Sequence, residues 1–331
     1  MGSPTIKDVA RKAGVSVATV SYVINNGPRP VTEETQQLVR VAMEELGYAP
    51  NASARRLRRQ HNHVIGIALA GLSGKPGISD LYFLDILRGI SFALDQYNYD
   101  MMVFSNRQKL SRSDFYRSLA AQHMIDGLVA MGSTINPEGI TLMNNAGTPA
   151  YLVGRQRYGA RVRRVTYTFR EDLIWATRYL LNKGHRRISL LLNPLALHGE
   201  SERLSGYQYA LEQSGVPFDP SLVYISPEVF QFPSKEAVQA MLATAAPTAF
   251  ITAPYAEVCH FLDELNVPRE VVVVTVDEES HIPHLPRVVA AAHLAKYEAG
   301  MTAIDLVMKC LQGEQHVPEE VILPSRYVEY E

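Results

Sequence analysis

The 331 residues contain only two cysteines, and no apolar run approaches the length of a membrane span. A span needs roughly 18 or more consecutive apolar residues, and the first residues, MGSPTIKDVARKAG, lack the apolar stretch of a signal peptide. Cys259 and Cys310 have no companion Cys or His at metal-ligand spacing. We therefore expect a cytoplasmic chain with buried free thiols, without a disulfide framework or zinc site.

Motifs for catalysis and cofactor binding are also missing. The glycine-rich stretch GLSGKPG (71–77) contains a lysine, but it lacks the spacing of a phosphate-binding loop, and Pro76 stands where a helix should begin. No GxSxG, HExxH or GxGxxG occurs in an interpretable context, and the ten histidines are scattered. We expect no enzymatic activity, no cofactor and no metal site.

Hydrophobic residues (47%) and charged residues (20%) occur in the proportions of a folded chain, and the length suggests about two domains. The net charge of −2 hides an asymmetry. Residues 1–60 contain nine basic and five acidic side chains, whereas the rest has 23 basic and 29 acidic ones. This difference indicates a polyanionic partner for the N-terminal segment alone.

Helix signals follow one another in the first fifty residues. Thr5 and Asp8 can cap a first helix whose apolar face has helical spacing, and Gly14 is suited to end it. Ser16 can cap a second helix, and the two meet at a short turn, as in a helix-turn-helix. A third helix is predicted to begin at 32–35 and to end at Gly47. Its buried face should contain Leu38, Ala42 and Leu46.

The residues TIKDVARKAGVSVATVSYVINN and VTEETQQLVRVAMEELGYAPNASARRLRR closely resemble the headpiece and hinge of the LacI/GalR (lactose/galactose repressor) family of bacterial transcriptional regulators. The resemblance covers Thr5 to Arg59 almost without gaps. It implies that Val17, Ala18 and Tyr22 face base edges. It also implies that Ser16, Thr19, Ser21 and Asn25 mostly hold the phosphate backbone. The remaining implied DNA contacts are Thr5, Arg29, Asn51, Ala54 and Arg55. Hydroxyl and amide groups suit phosphate oxygens, and apolar side chains suit thymine methyls.

The stretch PNASARRLRRQ (50–60) carries four arginines and one large apolar residue, Leu57. It suits a plain linker, but the resemblance implies a hinge that becomes helical on DNA. Its leucine would then wedge into a base step of the minor groove and kink the duplex. Neutralisation of the four cations beside phosphates would favour folding there.

After Val64 the chain alternates short apolar runs with amphipathic segments, which indicates parallel βαβ units with both sheet faces covered. The apolar runs are 64–70, 101–104, 126–131, 150–154, 187–192, 248–252, 271–277 and 287–292. We predict an α/β protein with a headpiece (1–49), a hinge (50–60) and a core of two Rossmann-like lobes (61–331). The first lobe would comprise 61–160 and 290–318, and the second 161–289 and 319–331.

The resemblance continues more loosely through YFLDILRGI, DGLVAMG, TPAYLVGR, ERLSGYQYALEQSGV and VVVVTVDE. It implies the periplasmic-binding-protein-like core of the family, in which two lobes clamp a small effector. The implied effector contacts are aromatic (Tyr82, Phe83 and Phe230) and charged (Arg155, Arg203 and Asp277). Arginine and aspartate would suit a polyol or sugar.

Two segments depart from the family pattern. Thr168-Phe169 replaces the usual Asp-Asn, and Pro254-Tyr255 replaces the usual Asn-Asp, so polar groups that hold sugar hydroxyls are lost. Phe169 and Tyr255 would then line the effector site. We expect an altered effector with an aromatic or apolar part. A larger oligosaccharide and a core without sensing are the alternatives.

These expectations combine into a homodimeric, nucleoid-associated repressor that binds pseudo-palindromic DNA, with half-sites about one helical turn apart. A small-molecule effector, for which a sugar or sugar derivative is a candidate, would control binding from the cleft. Two other classes fit parts of the chain: a sugar-binding or transport protein, and an enzyme on a Rossmann-like scaffold. The headpiece and the missing catalytic motifs oppose both.

Overall fold

The structure is a computed structural model and describes residues 4–25, 31–48, 62–70, 81–132, 135–154, 162–195, 199–227, 233–253, 255–276 and 285–330. The chain divides into two compact units, Met1–Asn62 and His63–Glu331. Within the described residues no helix has the length and apolar character needed to cross a membrane.

The N-terminal unit consists of three helices, α1 (Ile6–Ala13), α2 (Val17–Asn25) and α3 (Glu33–Leu46). At the start of α1, the backbone N–H and the hydroxyl of Thr5 both donate to Asp8 Oδ2, over 3.0 and 2.6 Å. This is the predicted cap, and it fixes where the helix begins. The three helices share a small apolar core of Val9, Ala10, Val20, Val39 and Ala42.

The inward face of α3 differs from the prediction at one position. Leu38 is 52% exposed, whereas Val39 is fully buried. Ala42 is buried and Leu46 is half-buried, as predicted. Positions 39, 42 and 46 have the i, i+3, i+7 spacing of one helical face, and Leu38 lies about 100° away from Val39 around the helix. The prediction for Leu38 was therefore wrong.

The second unit contains two six-stranded sheets within the described residues. The strands of the first sheet are all parallel, in the order β11-β5-β4-β3-β1-β2. They are β1 (Val64–Leu69), β2 (Asp100–Phe104), β3 (Gly127–Met131), β4 (Ala150–Val153), β5 (Arg164–Tyr167) and β11 (Glu320–Leu323).

The second sheet has the order β12-β10-β9-β8-β6-β7, and only its edge strand β12 runs antiparallel to its neighbour β10. Its strands are β6 (Ile188–Leu192), β7 (Val223–Ile225), β8 (Ala249–Thr252), β9 (Val272–Val276), β10 (Val288–His293) and β12 (Arg326–Glu329). The central strands are apolar and buried, because helices cover both sheet faces.

Helices connect the parallel strands. They are α4 (Leu84–Tyr97), α5 (Arg107–Leu110), α6 (Ser113–Gln122), α7 (Pro137–Asn145), α8 (Phe169–Asn182), α9 (Glu200–Gln213), α10 (Lys235–Ala245), α11 (Tyr255–Glu264) and α12 (Lys296–Leu311). Two 3₁₀ turns occupy Leu81–Phe83 and Pro220–Leu222. Four separate apolar clusters, one on each face of each sheet, form the core of this unit.

The strand pairing moves two whole strands, and residues 290–293 of β10, across the predicted lobe limits. Strands β5 and β11 fall in the stretches predicted for the second lobe, but they pair with each other in the first sheet. Among the described residues, the chain therefore crosses between sheets after Tyr167, after His293 and after Leu323. Both strands are only four residues long, and each begins with a charged residue. An apolar pattern does not mark such strands.

Helices α4 and α12 approach so closely that their backbones touch. A Cβ atom at Gly89 would lie 2.0 Å from the carbonyl oxygen of Tyr297, and one at Gly300 would lie 2.2 Å from that of Ile86. Only glycine permits this separation. The contact fixes the start of α12 beside the start of α4, which matters for the site described next.

Candidate functional site

The first turn of α2 is presented to solvent in the N-terminal unit. Ser16 Oγ accepts the backbone N–H of Thr19 over 3.0 Å and lies 2.8 Å from Thr19 Oγ1, so it caps the helix. Val17 is 42% exposed and Ala18 is also exposed. Val20 is fully buried in the headpiece core and anchors the helix. An exposed apolar turn on an anchored helix is suited to reading base edges.

The other predicted DNA contacts fall into three groups. Thr5 is exposed at the start of α1. Thr19, Ser21 and Tyr22 are half-buried on α2. The backbone of Asn25 ends α2, but the structure does not describe its side chain. The remaining residues lie outside the described part of the chain: Arg29, Asn51, Ala54, Arg55 and Leu57.

A second candidate site lies where the strands of the second sheet end at their carboxyl edge. Helix α9 begins there, after β6, and its first turn carries Glu200 and Arg203. The two side chains form an ion pair, with 3.2 Å between Arg203 Nη1 and Glu200 Oε1. Arg203 also donates to the carbonyl oxygen of Val276, at the end of β9, over 3.5 Å. Ligands of open α/β sheets bind at this edge.

The aromatic ring of Phe169 covers this ion pair. The Arg203 guanidinium lies 5.2 Å from the ring centroid, close enough for a cation–π contact. Phe169 has no exposed surface and packs against the backbone of Gly199, where a Cβ atom would lie 2.6 Å from Cδ2 of the ring. Phe169 thus occupies space at the N-terminus of α9.

Asp172 forms a hydrogen-bonded network at two of the crossings between the lobes. Its carboxylate accepts the hydroxyls of Thr168 (3.2 Å), Ser325 (2.9 Å) and Tyr327 (3.0 Å). Thr168 follows β5, and Ser325 stands between β11 and β12. Burial raises the pKa of Asp172 to about 6, although the three hydroxyl donors and nearby Arg203 oppose the rise.

On the first-lobe side, Tyr82 and Phe83 are both buried at the start of α4, with their rings edge to face at 5.3 Å between centroids. The ammonium of Lys296, at the start of α12, lies 4.8 Å from the centroid of the Tyr82 ring. The hydroxyl of Tyr82 approaches the Gly154 backbone at the end of β4. These contacts place aromatic rings and a buried cation at the carboxyl edge of the first sheet.

The structure brings together four of the predicted effector residues. Tyr82, Phe83, Phe169 and Arg203 all lie at the carboxyl edges of the two sheets. Tyr255 begins α11, but its side chain is not described. The other three lie outside the described residues: Arg155, Phe230 and Asp277. Among the described residues no group of His, Cys, Asp and Glu side chains could hold a metal ion.

Sequence reasoning missed Glu200, Asp172 and Lys296. A signal existed for each of the two acids. Glu200 precedes Arg203 by three residues, which places both on one helical face. Asp172 interrupts the apolar face of α8, between Phe169 and Ala176, and a carboxylate in such a position must find partners. Lys296 gave no such signal, because only the fold brings it to Tyr82.

Known proteins resemble this chain in both of its units. Residues 5–51 match the family model described as bacterial regulatory proteins, lacI family, and residues 177–330 match a periplasmic binding protein-like domain. Catabolite control protein A of Staphylococcus epidermidis is 26% identical over 332 residues, 98% of each chain. The repressor PurR of Escherichia fergusonii is 28% identical over 334 residues, 98% of this chain and 95% of the relative.

Two solved structures share the fold. A Lac repressor dimer bound to operator and the anti-inducer ONPF has a TM-score of 0.76 at 22% identity, over 99% of this chain and 98% of that one. A complex of the transcriptional regulator CelR with cellobiose has a TM-score of 0.67 at 24% identity, over 98% of both chains. These likenesses confirm the predicted α/β fold with a helix-turn-helix headpiece and two lobes.

The headpiece and the two-lobed core define a DNA-binding transcriptional regulator. The chain belongs to the lacI family of bacterial regulatory proteins, as predicted from its first sixty residues. This family consists of transcriptional regulators and not of enzymes.

Proposed function

We propose that this protein is a homodimeric repressor that binds a pseudo-palindromic operator and is controlled by a small molecule between the two core lobes. Residues 1–49 would read DNA, residues 50–60 would form the hinge, and the rest would bind the effector and dimerise. The observation that carries the proposal is the first turn of α2, where Val17 and Ala18 are exposed beside a capped, anchored helix start.

Exposure and chemistry support the division of DNA contacts. Val17 and Ala18 offer apolar surface for thymine methyls, and Tyr22 offers a hydroxyl to a base edge. Ser16, Thr19 and Ser21 offer hydroxyls to phosphates. A Lac repressor dimer with this fold was solved bound to operator, which is consistent with DNA binding by this chain.

A gel-shift titration of the full-length protein against genomic DNA fragments at physiological salt tests the proposal. We expect sequence-selective binding. Val17→Ala should lower the ratio of specific to non-specific affinity by about tenfold, because it removes apolar contact with a base. Gln37→Ala, at an exposed position of α3, is the matched control and should leave the ratio unchanged. Equal affinity for all fragments would refute the regulator function.

The hinge assignment rests on the sequence of residues 50–60, which carry Leu57 among four arginines. Leu57→Ala should keep the core folded but weaken operator binding, because the wedge would no longer support the kinked duplex. Operator affinity at fixed salt is the measurement. An unchanged affinity would remove this assignment.

Exposed apolar side chains on the first lobe support dimerisation. Leu84 and Phe92 on α4, and Met101 and Val103 on the edge strand β2, are each at least 40% exposed. A second copy of the chain would cover them at a two-fold interface. The variant Leu84→Ser/Phe92→Ser should sediment as a monomer. Phe218→Ser, at a 40% exposed phenylalanine of the second lobe, should remain dimeric.

An effector between the lobes would act by linkage. An inducer must bind the DNA-free state more tightly, and a corepressor must bind the DNA-bound state more tightly. Phe169, in place of a polar residue, favours an effector with an apolar or aromatic part. The relative CelR was solved with cellobiose. A thermal-shift screen of sugars, nucleobases and phosphorylated metabolites, followed by operator titration with each hit, tests for an effector and its sign.

A further inference from the structure

A stack of three aromatic rings lies at the surface of the core, where helix α8 packs beside the edge strand β12. The centroid of the Trp175 ring is 4.5 Å from that of Tyr327, with 13° between the planes, and 5.9 Å from that of Tyr179, with 28°. Trp175 and Tyr179 are half-buried, and Tyr327 is 39% exposed. Tryptophan and tyrosine side chains that stay accessible in this way are enriched at binding surfaces.

A groove of about 420 Å³ follows this aromatic stack. Small-molecule sites have volumes of roughly 300–1000 Å³, so the groove can hold a small ligand. Glu329, which lines it, pairs with Ala290 near the amino end of β10, whereas the proposed effector cleft lies at the carboxyl edge of the sheet. The groove therefore extends away from that cleft and is a separate site.

The rings of the stack are held in place by the protein itself. The hydroxyl of Tyr327 donates to Asp172 over 3.0 Å, and that of Tyr179 donates to the carbonyl oxygen of Val289 over 3.2 Å. Trp175 packs against the apolar cluster beneath α8. Because the side chains are already ordered, a ligand that contacts the rings loses little affinity to their immobilisation.

A flat ring is the shape that extends this stack. Trp175 and Tyr327 are almost parallel, and aromatic rings prefer such offset stacking. The ammonium of Lys183 lies 5.5 Å from the Tyr179 centroid and so already meets one end of the stack. Tyr327 at the other end is the most exposed of the three rings, and its hydroxyl is engaged with Asp172, so it offers a ligand a ring face.

The charged side chains around the stack offer both kinds of hydrogen-bonding group. Glu171 and Glu329 carry carboxylates, which only accept, and Arg178 and Lys183 carry cations, which only donate. All four are exposed, and their charges sum to zero. A charged ligand would be attracted to one pair and repelled by the other. An uncharged ligand with donors and acceptors at its edge can use both pairs together.

We propose that this groove is a second ligand site, which binds an uncharged planar heteroaromatic compound with the chemistry of a nucleobase. The face of the ligand stacks on Tyr327 and Trp175, and its edge donates to the carboxylates and accepts from the cations at the rim. This site is additional to the proposed effector cleft. Its tests use no operator DNA, so their outcome is independent of the regulator function.

Titration of the full-length protein with adenosine tests the site, because Trp175 is the only tryptophan of the chain and reports on it by fluorescence. We expect adenosine to quench this fluorescence saturably. Ribose, which lacks the aromatic ring, should leave it unchanged, and adenosine monophosphate should bind no more tightly than adenosine. No saturable change with adenosine, or an equal change with ribose, would overturn the inference. At least fivefold tighter binding of the monophosphate would contradict an uncharged ligand.

Calorimetric titration of variants with adenosine assigns the binding to the stack. Trp175→Leu should lower the affinity at least fivefold, because it removes one stacking ring, whereas Trp175→Tyr keeps a flat ring and should stay within about threefold of the wild type. Phe218→Leu is the control, because Phe218 is a 40% exposed phenylalanine outside the groove, and it should leave the affinity unchanged. Equal affinities of the wild type and Trp175→Leu would refute the site.

A second variant covers the case in which Trp175→Leu does not fold. Glu171→Ala/Glu329→Ala alters only exposed positions and removes two hydrogen-bond acceptors from the rim. It should lower the affinity for adenosine at least threefold. Glu202→Ala/Glu212→Ala, on α9 and outside the groove lining, is its matched control and should bind as the wild type does. Equal affinities of the two double variants would also refute the site.

Discussion

The hydroxyl of Tyr327 donates a 3.0 Å hydrogen bond to Asp172 Oδ1 and so joins the edge strand β12 to the first turn of α8. Ser325 donates to the other carboxylate oxygen over 2.9 Å, and the backbone N–H of Ser325 reaches Thr168 Oγ1 over 3.3 Å. Thr168 and Ser325 stand in two segments that cross between the sheets. One buried carboxylate therefore connects both crossings, where any change in lobe orientation must occur.

The raised pKa of Asp172 predicts a specific dependence of stability on pH. Burial raises this pKa from 3.8 to about 6, so the folded protein binds the proton more tightly than the unfolded chain. The contribution of Asp172 to stability is then greatest near pH 4 and falls as the pH rises towards 6. The difference between the two pKa values corresponds to about 3 kcal/mol in the free energy of unfolding. Asp172→Asn should remove this dependence, because the amide does not titrate.

Urea unfolding of both proteins between about pH 4.5 and 7.5 measures this difference. The free energy of unfolding of the wild type relative to Asp172→Asn should rise as the pH is lowered. Trp175, the only tryptophan of the chain, stacks on Tyr327 at 4.5 Å between centroids and 13° between planes, so its fluorescence should follow the same titration. Parallel pH profiles of the two proteins would show that Asp172 does not titrate in this range.

Gly199 is predicted to be intolerant of alanine for two separate reasons. Its φ of +92° is strained for any residue with a Cβ atom, and that atom would lie 2.6 Å from the Phe169 ring. Gly199→Ala should lower the free energy of unfolding by about 3 kcal/mol. Gly215→Ala is the control, because Gly215 has a φ of +67° but open space around it. It should cost only about 1 kcal/mol.

Chemical denaturation of the two alanine variants gives both values. The clash with Phe169 accounts for the difference between them, so the variant Gly199→Ala/Phe169→Leu should recover part of the loss. Equal losses for Gly199→Ala and Gly215→Ala would mean that the Phe169 ring yields without cost.

Much of this architecture follows from local patterns. The eight apolar runs of the core correspond to β1, β2, β3, β4, β6, β8, β9 and β10. All of these except the edge strand β2 are buried, and strands buried on both faces need continuous apolar residues. Strands β5, β11 and β12 have four residues each and mix polar with apolar side chains, and the apolar strand β7 has only three residues. They form because a neighbouring strand offers hydrogen bonds, and no local pattern records that.

The same division holds for the candidate site. Phe83, Phe169 and Arg203 were predicted because the segments that contain them resemble those of a known family. The partners of these residues were not predicted. The Glu200–Asn193 contact joins the start of α9 to the residue that follows β6, and the Lys296–Tyr82 contact depends on how distant segments pack. In particular, about 210 residues separate Tyr82 from Lys296 in the chain, yet the close contact of α4 with α12 places them together.

The proposed role of Ser16 predicts a larger effect on DNA binding than on folding. Ser16→Ala removes the cap of α2 and a hydroxyl that faces solvent beside Val17. Loss of a cap costs about 1 kcal/mol. Thr32→Ala is the control, because Thr32 Oγ1 caps α3 in the same way, by accepting the Thr35 N–H. Fluorescence anisotropy should show that operator affinity falls further with Ser16→Ala, which also loses a phosphate contact. Equal losses would assign Ser16 a capping role alone.

The buried ion pair predicts strong coupling between Arg203 and Glu200. Arg203→Met leaves the Glu200 carboxylate in the interior without its cation, and loss of one member of a buried pair costs about 3–5 kcal/mol. The double variant Arg203→Met/Glu200→Gln contains no unpaired charge at this position and should recover most of that loss. Urea unfolding of the wild type, both single variants and the double variant gives the coupling energy. Additive losses would show that the two charges do not stabilise each other.

Because Arg203 supports the fold in this way, a simple Arg203→Ala exchange does not isolate effector binding. Effector response must instead be compared between variants of equal stability, such as the double variant and the wild type.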